Sequence, residues 1–96
     1  MKSIDELKEI IAQNRTILEQ KYKVKSLAFF GSFVRGDQTD GSDIDVMVEF
    51  SEPVGLLFIH LADYLEEILG MKVDLLTPEA VKLNRKKHIM SELEYV

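Results

Sequence analysis

Apolar positions recur at helical spacing near the start of the chain. Ile4, Leu7, Ile10, Ile11 and Leu18 fall on one stripe between Ser3 and about Tyr22, and Ser3 with Glu6 makes a capping-box pattern ahead of it. The spacing predicts one amphipathic helix. Val24 to Phe30 is a short apolar run rich in strand-forming residues. The stretch "GSFVRGDQTDGS" is dense in Gly, Ser and Asp, which predicts a loop opening with one helical turn. Asp43 to Phe50 then alternates: Ile44, Val46, Val48 and Phe50 take one face, and Asp43, Asp45, Met47 and Glu49 the other. Val54 to Leu69 reads as a second helix closed by Gly70, Met71 to Leu76 as a third strand, and the rest, from Thr77-Pro78-Glu79, as a final helix.

This order predicts an α+β domain of two layers, a three-stranded mixed sheet with helices on one face. A loop alone joins the first two strands, which suits an antiparallel pair. A helix-length crossover joins the second and third, which suits parallel neighbours. At 96 residues the chain is expected to form a single domain, 1–96, with no linker or repeat.

Composition narrows the function. A net charge of −5 argues against broad electrostatic binding to nucleic acid, which needs a basic face. The absence of cysteine excludes disulfides and thiolate metal sites and makes the cytoplasm the expected location. The N-terminal segment reads as an acidic helix rather than a signal peptide, and the apolar run from Val54 to Leu69 is interrupted by His60, Asp63, Glu66 and Glu67, so no membrane span is expected.

The chemistry gathers around Asp43 and Asp45. One residue apart in a strand, both side chains leave the same face. Carboxylates this close repel and raise one another's pKa unless a cation or hydrogen bonds compensate. In "MKVDLL" the apolar parity belongs to Val73 and Leu75, so Asp74 faces the other way, toward the same side as Asp43 and Asp45 if the strands are neighbours. Three converging carboxylates are hard oxygen donors that suit magnesium or manganese. Gly31-Ser32 follows the first strand and offers close backbone approach and a hydroxyl to an anion. Arg35 is a cation in the same loop, positioned either for phosphate or for solvent. The basic run Arg85-Lys86-Lys87-His88 reads as a solvated helix face, with contact to nucleotide phosphate or an acidic partner as the alternative, and His60 as a packing or surface residue.

Gly31-Ser32, ten residues, Asp43-Ile44-Asp45 and then Asp74 together resemble the signature of the DNA polymerase beta nucleotidyltransferase superfamily. The wider string "GSFVRGDQTDGSDIDVMV", the "VDLL" strand and the terminal "IMSELEYV" resemble the minimal nucleotidyltransferases, the MNT group, over essentially the whole chain. Val34 stands where that group often has Ala, a change of packing. The resemblance implies the two-layer nucleotidyltransferase fold and transfer of AMP from ATP with release of pyrophosphate. It implies Asp43, Asp45 and Asp74 as catalytic residues and ligands of two Mg2+ ions, with Mn2+ as a substitute. It implies Gly31, Ser32, Arg35 and Ser42 as nucleotide-binding residues. MNT proteins resemble antitoxins paired with HEPN-domain ribonucleases, so the implied partner is a HEPN toxin and the implied acceptor one of its tyrosines.

Other readings stand beside this one. The same fold could serve as a binding-only antitoxin, or could transfer to a small molecule, although no second domain is expected here to bind an aminoglycoside. An EF-hand is excluded, because the sixth position counted from Asp37, Asp40 or Asp43 is Ser42, Asp45 or Val48, never the required Gly. A sugar transferase with an isolated D-x-D would generally be much larger.

Overall fold

The computed structural model describes residues 2–96. Its first helix, α1 (Ile4–Gln13), carries the expected capping box: Ser3 Oγ accepts from the Glu6 N–H at 3.2 Å, and Glu6 Oε1 accepts from the Ser3 N–H at 3.3 Å. The expected single helix is broken at Asn14, and α2 (Arg15–Gln20) follows. The break has a side-chain cause. Asn14 Nδ2 donates to the Ile10 carbonyl at 2.8 Å, and Asn14 Oδ1 accepts from the Tyr64 hydroxyl at 2.7 Å. Asn competes with the helix ladder for its own backbone, and here it also ties the helix pair to a later element.

The strands β1 (Val24–Phe30) and β2 (Ile44–Phe50) pair antiparallel, and β2 pairs parallel with β3 (Val73–Leu76). A one-turn helix, α3 (Ser32–Arg35), opens the loop between β1 and β2, as the sequence suggests. The crossover helix α4 (Leu57–Leu69) starts three residues later than its apolar run and ends at Gly70, which takes the left-handed conformation with φ +71°.

Two features of the expected architecture are corrected. The sheet has four strands rather than three, in the order β3-β2-β1-β4. The last segment, read as one helix, divides into a short 3-10 turn (Pro78–Ala80), α5 (Leu83–Ser91) and β4 (Glu94–Tyr95). Tyr95 and Glu94 pair with Ala28 and Phe29, and the Val96 N–H reaches the Leu27 carbonyl at 3.1 Å. The free edge of β1 thereby gains hydrogen-bond partners that a helix would not have supplied.

Helices also cover both faces of the sheet rather than one. On the larger side Phe29, Ile44, Val46 and Val48 pack against Leu7 and Ile11 of α1 and Leu61 and Leu65 of α4, all essentially excluded from water. The opposite face is not wholly polar. Ala28, Phe30 and Met47 form an apolar patch there, and Ile89 of α5 buries it. That second layer matters for function, because Asp45 and Met47 share a face by strand parity. No helix among the described residues is long and apolar enough to cross a membrane.

Candidate active site

The strand register assembles the site. Phe30, the last residue of β1, pairs with Asp45 of β2, and Asp45 pairs with Asp74 of β3. Cross-strand partners on one face stand side by side. Their carboxyls lie within reach of a shared proton. Burial first, then the Asp74 charge and that hydrogen bond, then the Asp43 charge, push the Asp45 carboxyl up to about 6 from its ordinary 3.8, and Arg35 only partly opposes them. Asp43 is exposed, just ahead of β2.

Gly31 follows β1 directly and turns the chain into α3 with φ +80°. A Cβ at this position would collide with Oδ2 of Asp45. Glycine is required here twice, by the backbone angle and by the closeness of the acid. The Gly31 carbonyl accepts from the Val34 and Arg35 N–H groups, both at 3.1 Å. Its own N–H donates to Oε1 of Glu92 at 3.0 Å. Arg35 is bracketed by two acids: its Nε donates to Asp37 at 3.2 Å and its Nη1 to Glu92 at 3.2 Å. The hydrogen bond to Asp37 is the main cause that raises the Arg35 pKa.

Of the residues singled out in the sequence, Gly31, Arg35, Asp45 and Asp74 line one cavity of about 210 Å³. Ser32 is the first residue of α3, adjacent to it. Ser42 and Asp43 do not line the cavity; the Ser42 hydroxyl accepts from the Thr39 N–H at 2.9 Å and braces the loop. His60 lies on a separate cleft with Tyr22 and Tyr64, away from the acids. Two roomier clefts, of about 400 and 380 Å³, occur elsewhere on the surface, and neither contains any of these acids.

Sequence reasoning missed Glu92, which comes 61 residues after Gly31 and is joined to it only by the packing of α5. It left Arg85 and His88 between a solvated helix face and contact with nucleotide phosphate. Both are exposed, yet both line the acid cavity. Their spacing of three residues was the available signal, since it puts them on one side of a helix.

A divalent cation fits the donor set. Asp45 and Asp74 offer hard oxygens side by side, Asp43 lies two residues before Asp45, and burial first, then the neighbouring carboxylate charges, raise the Asp45 pKa. Among the described residues no three His, Cys, Asp or Glu side chains are drawn together as a complete cage. Magnesium keeps several waters and is held by one or two carboxylates together with substrate phosphates, and Asp45 and Asp74 are two such carboxylates.

Residues 11–96 match the family model described as a nucleotidyltransferase domain. A candidate protein adenylyltransferase of Methanocaldococcus jannaschii is 50% identical over 100 residues, spanning 100% of both chains. The protein adenylyltransferase MntA of Thermococcus cleftensis is 36% identical over 97 residues, spanning 100% of this chain and 98% of that one. Among solved structures, a candidate minimal nucleotidyltransferase superposes with a TM-score of 0.72 at 26% identity, over 91% of this chain and 92% of that one. A toxin–antitoxin structure with AMP-PNP superposes with a TM-score of 0.70 at 23% identity, over 93% of this chain and 70% of that one, a likeness of fold.

Proposed function

The chain belongs to the nucleotidyltransferase domain family, and from that premise we propose that it transfers AMP from ATP to a tyrosine of a HEPN-domain toxin, silencing the toxin as an antitoxin. The observation that carries the reading is the half-buried Asp45, set beside Asp74 across the ladder and pressed against the Gly31 backbone. A structural sheet gains nothing from two adjoining carboxylates on a partly covered face. Such a pair becomes useful when a cation and a polyphosphate complete it. The relatives named as protein adenylyltransferases support AMP as the transferred group and a protein as the acceptor.

In this reading Asp43, Asp45 and Asp74 hold magnesium, with manganese as a substitute. Magnesium, when bound, supplies the charge that neutralises the triphosphate and lowers the pKa of the attacking hydroxyl. Asp74, exposed and lining the cavity, would assist removal of the proton from that hydroxyl. Gly31 keeps the chain close to the acids without a side chain, and Ser32 offers its hydroxyl to the β- and γ-phosphates. Arg35 adds positive charge beside them, and Ser42 holds the shape of the loop that leads into Asp43. A cavity of about 210 Å³ is smaller than the roughly 300–1,000 Å³ that engulfs a whole ligand, so it suits the polyphosphate and leaves the base at its mouth. Catalysis then rests on positioning and charge neutralisation.

The reading is tested by incubating the protein with ATP, magnesium and its purified HEPN partner and measuring the partner's intact mass. Increments of one or more adenylate units are expected, lost when the acceptor tyrosine is changed to Phe and when Asp43→Asn and Asp45→Asn are combined. An unmodified partner, together with full toxin neutralisation by that double variant, would establish the binding-only alternative.

A further inference from the structure

Resting on the nucleotidyltransferase reading, we infer that Arg85, seconded by His88, is a polyphosphate-binding cation of the site, supplied from the second helix layer. Three observations meet at this residue. The first is placement. Ile89 is buried against Ala28, Phe30 and Met47, which fixes the rotation of α5 over the sheet face that bears Asp45. Arg85 and His88, four and one residues earlier, line the cavity with Asp45 and Asp74, whereas Lys86 and Lys87 do not.

The second is commitment of charge. Arg35, the cation that the motif supplies, already donates to Asp37 and to Glu92, both at 3.2 Å. His88 lies 3.6 Å from the other Glu92 oxygen. Arg85 forms no ion pair among the described residues. The third is the balance of the cavity. Asp45, Asp74 and Glu92 all line it beside Arg85, so a triphosphate entering this acidic cavity needs cationic contact beyond that of a metal. A guanidinium, planar and permanently charged, suits two phosphate oxygens at once.

Glu92 is the positioning residue of this wall. Its side chain is 14% exposed, and it ties the Gly31 N–H, Arg35 and His88 into one group while leaving Arg85 unpaired.

The test is calorimetric titration of the full chain with magnesium and α,β-methylene-ATP, and separately with AMP. Arg85→Ala is expected to weaken binding of the triphosphate analogue by about tenfold, about 1.4 kcal/mol, and to leave AMP binding within about twofold. Lys86→Ala and Lys87→Ala remove the same charge from the same helix and are expected to stay within about twofold for both ligands, and His88→Asn to fall between them. Arg85→Lys keeps the charge and is expected to recover part of the affinity. Equal effects of Arg85→Ala and Lys86→Ala, or equal loss of the analogue and AMP, would overturn the assignment. A wild-type protein that binds neither ligand would overturn the nucleotidyltransferase reading itself. Binding by wild type with no loss in Arg85→Ala would overturn the Arg85 assignment alone. Arg85 is exposed, so thermal unfolding of each variant is expected to match wild type.

Discussion

Gly31 and Asp45 constrain each other. Gly31→Ala adds a Cβ where Asp45 Oδ2 lies and forces a side chain into φ +80°. A loss of about 1–3 kcal/mol from the backbone alone is expected by thermal or urea unfolding, with transfer activity falling further because Asp45 must move. Asp45 also ties stability to pH. Its folded pKa of about 6 lies above its ordinary 3.8, so the folded state holds a proton that the unfolded state releases between those values. The stabilisation is fully present below about 3.8 and is lost as pH rises through 6. Asp45→Asn cannot titrate. The melting temperature of this variant, without metal, is expected to exceed wild type by more at pH 8 than at pH 4, while its transfer activity is lost. Equal differences at the two pH values would mean that the carboxyl group is not held in this repulsive setting.

At the scale of elements, α5 and β4 carry what the pattern of apolar positions did not disclose. The first two strands, their antiparallel pairing and the parallel β3 were legible because Ile44, Val46 and Val48 alternate cleanly and because loop length limits how strands can be joined. The final helix was legible only in part. Its sequence, "LNRKKHIMS", has one buried residue, Ile89, which is too little periodicity to show which way it faces. The edge strand is two residues long and makes sense only beside the open edge of β1. That Asp45 and Asp74 share a face could be read from parity and spacing, the expected convergence of Asp43 with them in one cavity is not seen, and Glu92 depends on a tertiary contact between the end of α5 and the start of α3. Glu92→Ala leaves the Gly31 N–H without its acceptor and Arg35 without one of its two acids. A cost of about 1–3 kcal/mol is expected in denaturant unfolding, with Glu92→Gln recovering part of it because an amide oxygen can still accept. A silent Glu92→Ala would show that the Glu92 contacts to Gly31 and Arg35 do not contribute to the docking of α5.

The whole molecule is a small sheet, with most of its core beneath one face and the candidate site at one end of the other. The net charge of −5 makes metal the natural intermediary between this surface and a polyphosphate. Chelation is accordingly expected to abolish both ATP binding and transfer, and restored magnesium to return them. Added magnesium is also expected to raise the melting temperature at pH 8 by relieving repulsion among the acids, and to do so far less in Asp45→Asn. Identity of the transferred group tests the central claim most directly. Parallel reactions with the proposed HEPN partner and magnesium, one with α-labelled ATP and one with γ-labelled ATP, separate nucleotidyl from phosphoryl transfer. The account predicts label on the partner from α-labelled ATP alone, absent with chelator and with Asp45→Asn. Label from γ-labelled ATP, or α-label that persists in Asp45→Asn, would contradict it.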